Sequence, residues 1–421
     1  MFIIDVVLIV ALLWNLIIKK EVYSPAVFWC VIWIISLTFA LLNPFDMMEI
    51  SHNTIIIIGV GTIMFLIGSM GKRTIHFVFK KSKKVFFEFD KKDQFNKSIC
   101  YLLLLITIVF NLVVLVTVVN FLRSGTSYSS VRDILFGYGD NASSSFFSST
   151  FFSTFFSWII GPAMSILLIV ALINFIVKQL STVFNWLVLI DIAIYTFATS
   201  GRMLLLHAVV FLFFVYKYNE LHIPKHLKRK VWLCIISAVV LLLVITFYRQ
   251  KEADAVPTLY SYFCIDIPLL SYWTDYVDIN NVATYGNAFF RGILEGINFF
   301  IGKLHLSTPG FWEMQEIFDL VQNTWIQIFP NNWYNAYVSC LFYFYLDFGI
   351  IGVAIGSFVF GKISKYVYQG LLKNRTLFME IMYMLIIQLI IDSFVRWQIG
   401  TFSFLVTFFY AVICTKKRKR S

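Results

Sequence analysis

Long apolar runs, separated by short polar segments, dominate the pattern of this chain. A membrane-spanning helix needs roughly 20 largely apolar residues, with a usual range of about 17–25. By this criterion, with some shorter runs included, we predict about eleven spans, at residues 2–18, 26–42, 54–71, 99–121, 151–177, 182–199, 203–216, 231–247, 348–361, 377–391 and 399–415. The ninth is expected to begin earlier, somewhere after Tyr334. The predicted fold class is therefore all-α, a polytopic transmembrane helix bundle with a large, partly helical outer loop.

Two of the segments between the apolar runs are long. Residues 122–150 are rich in Ser, Gly and Asp, which is typical of a flexible loop. Residues 248–335, which we call the large loop, instead carry apolar residues at helical spacing. The chain is thus expected to divide into N-terminal spans with a basic segment (1–121 with 72–98), the loop 122–150, central spans (151–247), the large loop, and C-terminal spans with a basic tail (336–421).

The large loop is predicted to contain two amphipathic helices. In the first, one face carries Arg291, Glu295, Asn298 and Gly302, and the other carries Ile293, Leu294, Ile297, Ile301 and Leu304. The second is predicted to start with Thr308 as N-cap and Pro309 in the first turn. Its apolar stripe consists of Met314, Ile317, Phe318, Val321, Trp325 and Ile328. Both helices are expected to lie on the outer membrane face or to cap the bundle, with their polar faces toward a cavity.

The basic residues predict the orientation of the chain. If residues 72–98 are cytoplasmic, 26 of the 34 Lys and Arg residues fall inside and eight fall outside, which places the N-terminus outside and the C-terminus inside. With 59% hydrophobic and 14% charged residues, the chain does not resemble a soluble domain. The net charge of +11 resides in clusters between apolar runs, so it indicates membrane topology and no nucleic-acid partner.

The outside basic residues are biased toward arginine. Six of the eight are Arg, although the chain has 11 Arg and 23 Lys. The planar guanidinium binds phosphate through two parallel hydrogen bonds, whereas lysine is a point charge. We therefore predict an outer site for phosphate or pyrophosphate at Arg202, Arg249 and Arg291, with Arg202 in a tight Ser200-Gly201 turn. The alternative is that each arginine meets lipid headgroups or pairs with a carboxylate.

A few other polar residues are candidates for acid–base chemistry. Glu295 and His305, the only histidine of the large loop, are candidate general bases. Asp347 lies at the outer end of a predicted span, and its alternative role is a helix N-cap. Asp191 lies inside a predicted span, where a carboxylate is a functional candidate by default. Its alternative is a hydrogen bond to a serine or amide of a neighbouring helix.

Motifs for metal or cofactor binding are missing from the sequence. It contains no P-loop, no GxSxG, no HExxH and no DxD, and Glu252-Ala253-Asp254 is the nearest approach to a carboxylate pair. The six cysteines are scattered, which is typical of buried thiols, and a Cys264–Cys340 disulfide has no support from their spacing. We therefore predict that the protein uses no metal and no cofactor.

Three short motifs follow one another between about residues 182 and 361. They are Thr199-Ser200-Gly201-Arg202, then Tyr285-Gly286-Asn287-Ala288-Phe289-Phe290-Arg291, and finally Asn335-Ala336-Tyr337 followed by Asp347-Phe348-Gly349-Ile350-Ile351-Gly352. In this order they resemble the Wzy O-antigen polymerase family, and Arg291 and Gly302 also fit the R-x10-G spacing described for such loops. Members of that family are often drawn with more spans and a cytoplasmic N-terminus.

The resemblance implies an activity and a place, to which the candidate residues can be assigned. A Wzy-like glycosyltransferase joins undecaprenyl-pyrophosphate-linked oligosaccharide repeat units into O-antigen or a related surface polysaccharide, on the periplasmic face of the bacterial inner membrane. The expected partners are those lipid-linked substrates and membrane lipid, with a chain-length regulator protein and a flippase as candidates. The candidate catalytic residues are Arg202, Arg291, Arg249, Glu295, His305 and Asp347, and the candidate substrate-binding residues are Arg202, Arg249, Arg291, Tyr285, Asn335 and Tyr337. The competing functions are an O-antigen ligase-like transferase and, from another class, a lipid-linked oligosaccharide flippase.

Overall fold

The computed structural model describes residues 1–70, 93–136, 146–218, 255–373 and 375–417, with short pieces of 229–244. In chain order the α-helices are α1 (Phe2–Leu13), α2 (Pro25–Leu42), α3 (His52–Met70), α4 (Lys97–Arg123), α5 (Tyr128–Phe136), α6 (Thr150–Phe155), α7 (Gly161–Val177), α8 (Thr182–Thr199), α9 (Met203–Tyr218), α10 (Ala255–Ser261), α11 (Asp266–Asn280), α12 (Arg291–Ile301), α13 (Phe311–Asn323), α14 (Ser339–Lys373), α15 (Leu377–Asp392) and α16 (Phe402–Ile413). Short strands β1 (Asp93–Phe95) and β4 (Thr415–Lys417) pair antiparallel, as do β2 (Ile326–Phe329) and β3 (Asn332–Tyr334).

Several of the predicted spans are present as long apolar helices. Within the described residues, six helical segments are long and apolar enough to cross one, namely Pro25–Leu42, His52–Met70, Lys97–Arg123, Thr150–Val177, Thr182–Thr199 and Ser339–Lys373. Phe2–Ile18, Met203–Tyr216 and Phe402–Ile413 are apolar but shorter. The helix at Ser339 starts after Tyr334, as predicted. Length and composition do not establish the eleven spans, and most of the predicted span 231–247 lies outside the described residues.

The chain folds into two compact units. The first consists of Met1–Glu88, Val256–Arg375 and Leu385–Leu405, and α3 packs along α14 in its interior. A side chain at Gly68 would collide with the Phe358 carbonyl, and one at Gly361 with the Phe65 carbonyl. Small residues of this kind let two helices approach until their backbones touch.

The second unit consists of Phe89–Ala255, Thr376–Met384 and Val406–Ser421. Helix α7 lies at its centre, and it contacts α4, α8 and α9. Asp191 of α8 lies in this interior, where its Oδ1 accepts a hydrogen bond of 2.8 Å from the Asn111 amide of α4. The amide pairing that the sequence left as the alternative for Asp191 is therefore present.

Parts of both long loops differ from the sequence predictions. Residues 122–150 were expected to be a flexible loop, but they include α5 and the first residue of α6. Helix α13 exists and buries its apolar stripe, yet it begins after Gly310, a residue with φ +69°, and not at a Thr308 N-cap. It also ends at Asn323, so Trp325 and Ile328 belong to the segment of the β2–β3 hairpin. Cys30, Cys100, Cys264, Cys340 and Cys414 are buried free thiols, as predicted, while Cys234 lies outside the described residues.

Candidate functional site

Asp347 organises the backbone that leads to Arg291. Its Oδ1 accepts hydrogen bonds from the Thr284 hydroxyl (2.5 Å) and from the amides of Gly286 (2.8 Å) and Ala288 (3.0 Å). Its Oδ2 accepts one from the Phe289 amide (2.8 Å). We call residues 284–290 the anchored loop. Successive backbone N–H groups that converge on an anion form a nest, and here the anion is a carboxylate of the chain itself.

The local backbone explains how one carboxylate reaches four donors. Tyr285 has φ +51° and Gly286 has φ +99°, so the loop curls back on itself. At Asp347 the helix α14 is interrupted, because Phe348 and Gly349 have non-helical dihedral angles. The side chain of Asp347 thus binds the anchored loop and not the turn that follows it, so the alternative role of a helix N-cap is not observed.

Arg291 directly follows the anchored loop and begins α12. The residue is only 7% exposed, and its guanidinium carbon lies 4.5 Å from the centre of the Phe318 ring. Its Nη2 makes a long contact of 3.5 Å with Gln315 Oε1, while its Nε has no hydrogen-bond partner. Among the residues that the structure describes, Arg291 forms no ion pair. Burial of a charge without a counter-charge costs several kcal/mol, and a cation–π contact offsets only about 2 kcal/mol of it.

Helix α12 is pressed against the chain at residues 398–402. A side chain at Gly292 would collide with the carbonyl of Ile399, and one at Gly296 with the ring of Phe402. Glu295 Oε2 also accepts a hydrogen bond of 3.2 Å from the Phe402 amide at the start of α16. Glu295, predicted as a catalytic base, thus caps a helix N-terminus in this structure. The sequence analysis missed the two glycines, although their spacing of four residues is a recognisable sign of close packing.

The remaining candidate residues of the first unit make contacts with residues other than Arg291. Tyr285 is exposed, with its ring edge against Phe348. His305 is exposed at the end of a short 3₁₀ turn, with φ +57°. Asn335 donates a hydrogen bond to the Gln322 carbonyl, and its own carbonyl accepts one of 2.9 Å from the amide of Tyr337, which is half-buried. No contact of these described residues joins His305, Asn335 or Tyr337 to Arg291.

Arg202 belongs to the second unit, in the turn between α8 and α9. The buried Ser200 has φ +50°, and Thr199 Oγ1 accepts a hydrogen bond of 3.3 Å from the Gly201 amide. Arg132 of α5, which the sequence analysis did not select, reaches the same turn, where its Nη1 donates to the Thr199 carbonyl at 3.3 Å. Arg132 and Arg202 thus both lie at the C-terminal end of α8. A cation is stabilised there by the negative end of the helix dipole.

A second buried carboxylate was also missed. Asp266, the first residue of α11, is almost fully buried and accepts a hydrogen bond of 2.8 Å from the Ser36 hydroxyl. Burial raises its pKa to about 7, and the Ser36 hydrogen bond lowers it by less. A titratable carboxyl is thus built into the packing of the large loop against α2, away from the contacts of Arg291.

The structure tests neither the predicted role of Arg249 nor the predicted absence of a metal. Arg249 and the Glu252-Ala253-Asp254 segment lie outside the described residues. In the part of the chain that is described, no three His, Cys, Asp or Glu side chains converge in a group that could hold a metal ion. Metal independence stays a prediction.

Comparison with known proteins adds no relative. No family model matches the chain, no curated protein matches it, and no solved structure matches its fold. What the residues and their geometry can do chemically is therefore the basis for assigning a function.

Proposed function

We propose that this chain is a membrane glycosyltransferase that polymerises oligosaccharide repeat units carried on undecaprenyl pyrophosphate. One observation carries the proposal: Arg291 is a buried guanidinium, held against Phe318, without a counter-charge among the described residues. Such a cation can bind an anionic ligand. A pyrophosphate offers the pairs of oxygen atoms to which a guanidinium binds best.

The proposed reaction transfers a glycosyl group. The bond between the anomeric carbon of the growing chain and its pyrophosphate oxygen breaks, and the pyrophosphate leaves with the electron pair. The anomeric carbon bonds to a hydroxyl oxygen of a new lipid-linked repeat unit, whose proton passes to a general base. Arginine stabilises the charge that develops on the departing oxygen, which is the largest contribution that fixed groups make to such a step. Of the two proposed bases, Glu295 already binds the Phe402 amide, whereas the imidazole of His305 is exposed.

The proposed setting follows from the charge distribution. We propose eleven spans in the bacterial inner membrane, with the N-terminus and the large loop on the periplasmic side. The 26-to-8 division of basic residues supports this orientation. The arginine-rich side would then be the side on which lipid-linked repeat units are displayed, so that both substrates would reach Arg291 from the membrane.

The proposed activity is tested with the purified full chain in lipid nanodiscs and a single synthetic undecaprenyl-pyrophosphate-linked repeat unit. We expect a ladder of products that differ by one repeat unit on a gel. A ligase-like transferase would leave the unit unextended until a lipid A core acceptor is supplied. A flippase would move the unit across a vesicle membrane without lengthening it. Either of these outcomes would reject the polymerase.

Chain extension is also expected to proceed without a divalent cation. Enzymes stabilise a departing pyrophosphate either with a metal held by carboxylates or with arginine, and the proposal assigns this task to arginine. The ladder assay in excess chelator should give the same rate as the untreated enzyme. If activity disappears in chelator and returns with magnesium or manganese, the arginine mechanism is wrong and the acidic residues of the large loop become the candidates.

A further inference from the structure

Helix α12 has its polar side turned into the protein. Arg291 lies on Phe318, and Glu295 binds the Phe402 amide. Asn298 donates to the Thr308 hydroxyl at 2.7 Å and accepts from the Thr308 amide at 2.8 Å. Groups of the protein thus contact each of these three polar side chains, while the predicted cavity stays a prediction.

The apolar side of α12 is correspondingly exposed. Ile293, Ile297 and Phe300 of α12 and Leu304 of the 3₁₀ turn that continues it, which we call the α12 ridge, are spaced by four, three and four residues, so they form one stripe. They are between 43% and 69% exposed. Helix α13 shows the opposite arrangement, with a buried apolar stripe and exposed polar residues such as Glu316 and Gln322. Helix α13 exposes Trp312 and Leu320 as well, but Glu316 lies between them, so only α12 presents an unbroken row of large apolar side chains.

The exposed apolar surface is continuous with that of a helix long enough to span a membrane. In α14, Phe348, Ile351 and Ile355 are between 54% and 68% exposed. The Phe348 ring meets the exposed ring of Tyr285 in the anchored loop, with 6.4 Å between the ring centres. Phe290, at the end of that loop and next to α12, is 53% exposed. The exposed face of a membrane-spanning helix is surrounded by lipid hydrocarbon. Because the α12 ridge adjoins such a face, we expect hydrocarbon to surround the ridge as well.

We propose that the α12 ridge is immersed in the acyl-chain boundary of the bilayer and thereby holds Arg291 at the depth of lipid phosphates. An amphipathic helix of this kind lies in the interface with its apolar side about 5–10 Å into the headgroup boundary. Arg291, on the opposite side of the helix, is then level with the phosphates of the surrounding lipids. The inference deepens the proposed function and rests on it, since a polyprenyl-anchored pyrophosphate reaches such a site without leaving the membrane. The medium that covers the ridge, however, is the bulk phospholipid and not the substrate.

The depth of the ridge is measured with spin labels on the full chain in vesicles of phosphatidylcholine and phosphatidylglycerol. Labels are placed through Ile297→Cys and Phe300→Cys on the ridge, and through the controls Glu316→Cys and Gln322→Cys on α13. The unsubstituted chain, carried through the same labelling, gives the background of the six native cysteines. Molecular oxygen concentrates in hydrocarbon, whereas a nickel chelate concentrates in water, so their relative relaxation effects report the depth.

We expect oxygen to relax the ridge labels several-fold more than the nickel chelate, with the reverse order at the control positions. Ridge labels relaxed mainly by nickel would place α12 in water and overturn the inference. Labels shielded from both reagents would overturn it as well, because a protein surface, such as a second copy of the chain, would then cover the ridge. The measurement needs no turnover. If the ridge lies in hydrocarbon but the protein fails the ladder assay, this inference holds and the proposed function is wrong. If the ridge lies in water and the protein is active, the proposed function holds and this inference is wrong.

Discussion

Replacement of Arg291 by alanine is expected to slow chain extension by roughly 10²–10³, the usual cost of a lost charge-assisted contact to a developing anion. The guanidinium is held on Phe318 and has an unpaired Nε, so its hydrogen-bonding capacity is available to a ligand. Its removal takes a buried charge out of the protein and should not reduce stability in the absence of substrate. The measurement is the rate of the ladder assay at saturating lipid-linked repeat unit, together with the melting temperature of the variant.

Two further variants separate geometry from charge. Arg291→Lys keeps the charge but loses the planar fork, so it should restore only part of the rate. Lys303→Ala removes an exposed cation two residues beyond the end of the same helix and should leave the rate unchanged. Full activity in a normally expressed Arg291→Ala variant would contradict the assigned role and leave this residue as a packing element of α12.

The helical framework was largely predictable from the order of the residues. A continuous apolar run has one stable form in a membrane, because only a helix satisfies its own backbone groups there. The predicted span at 26–42 corresponds to Pro25–Leu42, and the one at 182–199 to Thr182–Thr199. Shorter runs such as 203–216 form helices too, but their length alone does not decide whether they cross the membrane.

The large loop shows where helical periodicity misleads. Trp325 and Ile328 continue the spacing of the α13 stripe, yet the chain leaves the helix at Thr324 and forms a hairpin. Pro330 cannot donate a ladder hydrogen bond, and Asn331 adopts φ +67°, a conformation common for asparagine in turns. A Pro-Asn pair between two short runs of aromatic and β-branched residues was a signal for this hairpin.

The orientation of α12 was not predictable from periodicity, which separates two faces without saying which one meets the protein. In water the polar face is the exposed one, but in a membrane protein either face can be. The glycines at 292 and 296, which lie on the side packed against residues 398–402, were the evidence in the sequence. The contacts of Asp347 were still less accessible, because its four donors lie 58 to 63 residues earlier in the chain.

Asp347→Ala is expected to open the anchored loop while the rest of the fold stays intact. The substitution leaves the amides of Gly286, Ala288 and Phe289 without their acceptor, at about 1–3 kcal/mol for each amide that stays buried, while the Thr284 hydroxyl keeps the Leu346 carbonyl at 3.3 Å. The loop can relieve this cost by moving its amides into water, so the strain should appear as local opening. Amide hydrogen exchange of residues 284–290 should therefore become much faster, with little change elsewhere.

Loss of the anchored loop should also slow chain extension, because Arg291 is the next residue and takes its position from that loop. A displacement of about 1 Å at a site of this kind costs ~10²-fold in rate. Asp347→Asn should be intermediate, since its amide oxygen still accepts hydrogen bonds while its NH₂ group faces one of the backbone donors. Glu316→Ala, an exposed carboxylate on α13, is the matched control and should change neither exchange nor rate. If Asp347→Ala lowers the rate without faster exchange in the loop, Asp347 acts on the substrate directly, as the sequence first suggested. If exchange rises while the rate is unchanged, the loop does not position Arg291, and the proposed link between the carboxylate and the arginine is wrong.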